Sequence, residues 1–424
     1  MKKVLFFLII LSQCILAQIG NESDELTNFV IPNFYMEALA NKSTIAGQTR
    51  LDIYLQVPFA NVQFIRKDSL FTASYTVTLT VFDENKENIL YDQNWVERLQ
   101  TGSFDEANSP FSSNYSQRSV DLKPGKYKLY CSIEDGDSKK LTFNEAPLTV
   151  RGFSDTLEIS DALMIEEIVK EKEGDLMIPN VSRVITNKTI EVPLYYEVYS
   201  DKNRLYTFEY TMKNIKGDTL YIKSEDKTLT AGFNKILYTF KDFKFVLGEI
   251  QLGIAIKDKG KECKSYIKVT SGRIHGIPLS LSSIDDAVDQ MMYIAPNSTL
   301  NSIRSAPTND ERLKMFFAFW DTKKLSKTSD DNPVMKEYYR RVDYANRFFR
   351  GRPAGWRSDM GMVYIILGPP DMVERQPMPA NSRPYEIWTY NHLNKQYVFL
   401  DVGGFGSYVL QNADYDLLNG AGIR

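Results

Sequence analysis

The chemistry-bearing side chains crowd into the C-terminal stretch that begins at Arg350. Asp359, Asp371, Glu374 and Glu386 supply carboxylates there, and His392 is the one imidazole near them. Two carboxyls at the right separation are enough to cleave a glycosidic bond. Arg350, Arg352, Arg357, Arg375 and Arg383 are interleaved with Trp356, Tyr385 and Trp388. Guanidinium forks grip carboxylates or phosphates, and aromatic faces stack on planar or sugar groups. Such a set would suit a peptide terminus, an anionic glycan or the acidic surface of another protein. The same residues also admit a structural reading. Trp356 would fill a small core, and Ser358 or Asp359 would accept backbone N–H bonds in a turn. Gly361 and Gly368 would take φ values closed to other residues.

Several chemistries are excluded by what is missing. The chain of 424 residues holds two histidines, His275 and His392, so mechanisms built on several imidazoles are out. No Cys/His cluster has zinc spacing, and no nucleophile elbow or phosphate loop occurs. No catalytic residue, metal site or cofactor is therefore assigned. The formal charge of −3 gives no basic face for nucleic acid. A 12% aromatic content argues for packed cores and against global disorder.

The N-terminus is an address. Lys2 and Lys3 precede the apolar run Val4–Leu11, and Ala17 stands ahead of Gln18. This predicts a secretory signal peptide over 1–17, too short to span a bilayer. Cys14 follows Gln13 where lipidation wants a small residue, so an acyl anchor is not expected. No later segment is apolar enough to cross a membrane. The mature chain is expected in the periplasm or outside the cell. Cys131 and Cys263 then remain, each in a strand pattern of a different domain, and read as buried thiols.

The elements before the chemical cluster change period twice. Alternating runs such as Leu51–Val57 and Tyr75–Phe82, with turn signals at 83–88 and 123–126, predict an antiparallel β-sandwich over 18–152. The acidic turns at 83–88 and 134–137 offer oxygens to a calcium ion, although solvated turn chemistry accounts for them more simply. A second sandwich is expected over 153–276. Gly125, Tyr127, Leu129, Ile133 and Asp135 match Gly248, Ile250, Leu252, Ile256 and Asp258 at a constant spacing of 123 residues. Upstream, Phe82–Tyr91 resembles Tyr199–Tyr206, and together these suggest tandem copies.

A helical segment is predicted over 277–350. Ser283, the capping box Thr308–Glu311 and the pair Asn332-Pro333 mark three helix starts. Their apolar stripes, among them Phe316, Trp320, Tyr338 and Phe349, should pack on the C-terminal strands. The remaining module, 351–424, reads as α+β: a strand at 362–367, a sharp turn at Gly368-Pro369-Pro370-Asp371, then a meander through 385–390, 396–400 and 405–410.

Here the chain resembles a known family. Gly355-Trp356-Arg357-Ser358-Asp359, Gly361-Met-Val-Tyr364, Gly368-Pro-Pro-Asp371, Tyr385–Tyr390 and Gly404-Phe-Gly406 are similar to the GWxTD domain of exported bacterial proteins. Ser358 stands where the family has Thr; the hydroxyl is kept. The resemblance implies no established activity. The expectation is an exported, non-enzymatic cell-envelope protein whose C-terminal module binds another envelope protein or an anionic or glycan component. The competing reading is an envelope hydrolase using a carboxylate pair in that module.

Overall fold

The computed structural model describes residues 34–107, 112–171, 174–275, 277, 283–326, 332–349, 354–377, 383–404, 406–413 and 417. Residues 1–17, where a signal peptide is expected, lie outside the described residues, as do Arg350 and Arg352.

The first sandwich comprises β1 (Tyr35–Lys42), β2 (Thr49–Pro58), β3 (Ile65–Lys67), β4 (Leu70–Asp83), β5 (Ile89–Thr101), the single helical turn α1 (Phe104–Ala107), β6 (Ser113–Leu122), β7 (Gly125–Asp135) and β8 (Leu141–Val150). One sheet runs β1-β2-β6. The other runs β3-β4-β7-β8, with β5 on the second edge of β4. Alternation supplies the core. Leu51, Ile53 and Leu55 of β2 meet Val77, Leu79 and Val81 of β4, all buried. Each such side chain contributes about 1.5–3 kcal/mol on burial. Cys131 sits inside this core, where burial pushes its thiol up to about 12. Cys263 is exposed, not the buried thiol expected, because it lies near the hairpin end of its strand; both cysteines are free.

The acidic turns are closed by amide donors, one of them from a distant loop. Asp83 accepts from Glu87 N and Asn88 Nδ2, and Asp135 accepts from Gln63 N, Asp137 N and Ser138 N. Burial raises the Asp135 pKa, but these N–H donors, Gln63 foremost, outweigh it and leave the carboxyl lowered.

The second sandwich holds β9 (Glu158–Ile159), β10 (Leu163–Glu171), β11 (Gly174–Pro179), β12 (Val184–Thr186), β13 (Glu191–Ser200), β14 (Arg204–Asn214), β15 (Thr219–Leu229), β16 (Gly232–Lys241), β17 (Gly248–Asp258) and β18 (Lys261–Arg273). Its sheets run β11-β10-β13-β16, with β9 on β13, and β12-β18-β17-β14-β15. The connectivity repeats that of the first sandwich. Strands β1, β2 and β6 pair as β10, β13 and β16 do; β5-β4-β7-β8 pair as β15-β14-β17-β18 do. Gly125 and Gly248 open equivalent strands. The upstream likeness does not hold: the turn at 83–88 joins β4 to β5, whereas 201–203 joins β13 to β14. Loops of different length shift the spacing between strands, so the constant offset is confined to β7 and β17.

Among the described residues, helices and a sheet follow: α2 (Ile284–Gln290), α3 (Asn297–Ser305), α4 (Asn309–Thr322), α5 (Pro333–Phe348), α6 (Asp359–Leu367), then β19 (Met372–Gln376), β20 (Tyr385–Tyr390), β21 (Lys395–Asp401) and β22 (Tyr408–Leu410), the strands paired in that order. The caps are where the sequence puts them. Ser283, Thr308 and Asn332 accept from Asp286 N, Glu311 N and Met335 N.

Two expectations are corrected. Helices α4 and α5 do not both lie on the strands. Trp320 and Phe316 pack with Tyr338 and Tyr339 in an interhelical core that also takes in Ile274 of the sandwich boundary. Only the C-terminal end of α5, through Tyr344 and Phe349, reaches the sheet. Residues 362–367 are the second correction: they are helical, the body of α6. Met360, Val363, Tyr364, Ile365 and Ile366 are all buried, because α6 is sandwiched between α5 and the sheet. A short run that is apolar on every side has no period to distinguish helix from strand.

Candidate functional site

The elbow at 355–361 is built around two glycines and a hydroxyl. Gly355 lies so close to α5 that a Cβ would stand 2.2 Å from the Ala345 carbonyl oxygen. The next amide, Trp356 N, donates to Asn346 Oδ1 at 3.1 Å. The chain makes a single 3-10 turn, and Ser358 Oγ then serves both sides of it. It donates to Gly355 O at 2.7 Å and accepts from Gly361 N at 3.0 Å, capping α6. Gly361 closes onto Gly355, where a Cβ would stand 2.0 Å from the Gly355 carbonyl oxygen. Serine thus performs the task a threonine hydroxyl would.

Asp359 is the first residue of α6. Its Oδ2 accepts from Leu410 N at 2.8 Å, tying the last strand to the helix N-terminus, where negative charge is favoured. Trp356 is 7% exposed and faces the helical core. Tyr293 donates to its carbonyl at 3.0 Å. Burial, helped by the nearby Asp359 charge, pushes the Tyr293 phenol up to about 12. At the far end of α6, Gly368 has φ 85°. Arg341 donates to Ile365 O and Ile366 O, and Tyr390 donates to Gly368 O. Pro369 and Pro370 cannot extend the helix.

Residues 273–404 match the family model of the GWxTD domain. This chain carries a GWxTD domain. The match begins at the last residue of β18 and ends before β22, so it takes in helices α2–α6, the elbow and strands β19–β21. Among solved structures, the chain is similar to red sea bream transglutaminase, with 7% identity over 56% of this chain and 31% of that one, TM-score 0.18. It is also similar to a putative beta-galactosidase from Bacteroides fragilis, with 11% identity over 51% and 32%, TM-score 0.20. The chain spans about a third of the length of these structures. A comparison with curated proteins gives no match.

Among the described residues, the expected arginines and aromatics of the GWxTD domain do not line one groove. Trp356 and Trp388 face inward, into two different cores, and Trp388 is 3% exposed. Neither indole offers a face to a planar ligand from solution. Arg357 covers the Trp356 ring at 4.6 Å and lies 3.4 Å from Asp289. Arg375 is on the edge strand β19 and pairs with Glu386 at 3.0 Å. Glu386 also accepts from Trp388 Nε1 at 3.2 Å. Arg383 and Tyr385 lie at the start of β20, exposed and half-buried.

Of the carboxylates, Asp371 accepts from Asn391 N at 2.6 Å and has His392 Nδ1 at 3.8 Å, on an exposed turn. Asp359 and Glu386 hold the partners given above, and Glu374 is exposed on β19. Sequence reasoning missed Asn346, Arg341 and Tyr293. Each acts through a backbone group distant in sequence, and a helical polar residue gives no sign of such a partner.

Proposed function

We propose that this is an exported, non-enzymatic envelope protein in which the GWxTD domain is a protein-docking module carried by two β-sandwiches. The observation behind this reading is the asymmetry of the C-terminal sheet. Among the described residues, strand β19 pairs on one side only, and all five of its residues, Met372 to Gln376, are exposed. The opposite edge, β22, is tied to α6 through Asp359. An open edge opposite a tethered one suits strand addition by an extended segment of a partner, with main-chain bonds giving affinity and Arg375 favouring an acidic neighbour. Export is supported by the basic and apolar N-terminal pattern. Among the described residues, no helix is long and apolar enough to cross a membrane. Non-enzymatic action is supported by the carboxylates Asp359, Asp371 and Glu386, each of which holds a structural donor.

The test places a photo-crosslinking residue at Val373 of β19 or at Val409 of β22 in the full chain within intact envelopes. Adducts to a distinct envelope protein are expected from position 373 and not from 409. Release of soluble product from peptidoglycan by the purified chain, abolished in Glu386→Gln, would contradict the proposal and favour a hydrolase.

A further inference from the structure

The first sandwich leaves one long strand edge without the devices that usually guard it. Among the described residues, β5 pairs with β4 and with no other strand. One row of its N–H and C=O groups, along Ile89–Thr101, therefore has no strand beside it. Such an edge recruits another strand unless a lysine, a proline or a bulge blunts it. The opposite edge of the same sheet, β8, carries Pro147. The strand of the second sandwich equivalent to β5, β15, carries Lys223 and Lys227. β5 has neither lysine nor proline. Its one irregularity lies at the Ile89 end, and Tyr91–Thr101 keeps a regular register on β4. Ile89, Leu90 and Val96 stand exposed on it.

The residues along this edge complement themselves. When two copies of one strand pair antiparallel about a two-fold axis, the residue at the axis meets itself, and facing residues lie on the same side of the sheet. With the axis at Trp95, the midpoint of β5, Asp92 falls opposite Arg98 of the second copy, and Gln93 falls opposite Glu97. The symmetry makes each of these pairs twice. Trp95 then meets its own copy, an aromatic pair of the kind that stabilises cross-strand contacts.

These groups are free to pair. Arg98 is exposed and, among the described residues, holds no ion pair. Asp92 is exposed, and its Oδ1 accepts from Thr80 Oγ1 at 2.7 Å, which leaves Oδ2. Within one chain Asp92 and Arg98 lie roughly 20 Å apart along the strand and cannot meet. Gln93 Oε1 accepts from Tyr91 OH, which leaves its amide N–H groups for Glu97. Moving the axis to Asn94 or to Val96 would set Val96 or Gln100 against Asp92, and both ion pairs would be lost. The same construction on β15, about its own midpoint, sets Ile222 against Asp226, an apolar side chain against a charge.

We propose that β5 is a self-pairing edge, through which two copies of this chain join their first sandwiches about a two-fold axis at Trp95. Asp92–Arg98 ion pairs hold both ends of the contact. The pairing uses up the edge on both copies, so it closes at a dimer and does not propagate. One strand pair is smaller than a standard interface, so the dimer is reversible.

The test is sedimentation velocity of the full chain without its signal peptide, from about 1 to 100 µM protein. The mass should rise from one chain toward two across this range. Asp92→Arg sets like charges opposite each other at both ends of the contact, and so does Arg98→Asp. Each should weaken dimerisation about tenfold or more. Both positions are exposed, so each variant should keep the circular dichroism of the parent chain. Mixed in equal amounts, the two variants should dimerise with each other, because every charge then meets its opposite. Ile222→Lys on β15 should leave the dimer as it is. A parent chain that stays monomeric at every concentration would overturn the proposal. So would a dimer that both charge reversals leave intact, one that Ile222→Lys breaks, or variants that fail to recover each other on mixing. Crosslinking from β19 is read separately, so this proposal and the docking proposal fail independently.

Discussion

At the scale of single residues, the motif is an elbow held by short-range hydrogen bonds and close backbone approach. Ser358→Ala removes one oxygen that serves two backbone groups, and it should cost about 1–2 kcal/mol in a urea melt. Ser358→Thr should be close to neutral, since the hydroxyl is retained. Gly361→Ala should be the more damaging change, because its Cβ would meet a backbone carbonyl, which cannot swing aside as a side chain can. If Ser358→Ala melts like the parent chain, the cap is not holding the elbow. Asp135 gives a pH test of the same kind. Its pKa is lowered in the folded state, so its contribution is complete above the unfolded value and disappears as pH falls through the folded one. The stability gap between the parent chain and Asp135→Asn should be constant near neutrality and shrink below about pH 4.

At the scale of elements, α6 connects the helical core to the sheet, and both of its ends are chemically fixed. Gly368→Ala should cost about 1–3 kcal/mol in thermal denaturation, because φ 85° is strained for any side chain. A neutral result would mean that the turn into β19 relaxes freely. The comparison with sequence is instructive here. Ser283, Thr308 and Asn332-Pro333 were legible as helix starts because capping depends on residues three positions apart. Strands β4, β7 and β17 were legible because alternation is local. Residues 362–367 were misread because helix α6 is covered on all sides, and burial on both faces is set by neighbours far along the chain. The indoles were misplaced for a related reason. An aromatic beside arginines gives the same sequence signal whether it faces a ligand or a core, and the cores that claim Trp356 and Trp388 are formed by α2–α6 and by α6 with β20–β21. Ser358 was recognisable as a turn hydroxyl; the partner of Asp359, Leu410 N, was not, since it lies on a different element.

At the scale of the whole molecule, two copies of one sandwich topology meet at a seam that is partly ionic. Lys268 of β18 and Glu37 of β1 are both buried there, beside the small apolar cluster of Leu39, Leu163 and Ile165. Removing one member strands the other. Lys268→Met should cost about 3 kcal/mol, while the double variant with Glu37→Leu should recover much of that loss. Equal stability of the single variant and the parent chain would mean that the seam opens to water. The helical core then joins the second sandwich through Leu247 and Ile274, and the GWxTD sheet lies beyond it with β19 outermost.

The central claim is that the motif holds a scaffold for a docking edge and takes no part in chemistry. Its most direct test is the melting temperature of Asp359→Asn. The carboxylate bond to Leu410 N is charge-assisted and partly buried, so its loss should lower the melt by the equivalent of about 1–3 kcal/mol. Crosslinking from β19 should persist in whatever fraction remains folded. A melt identical to the parent chain, with partner capture or turnover abolished, would contradict the account and move Asp359 from scaffold to reaction site.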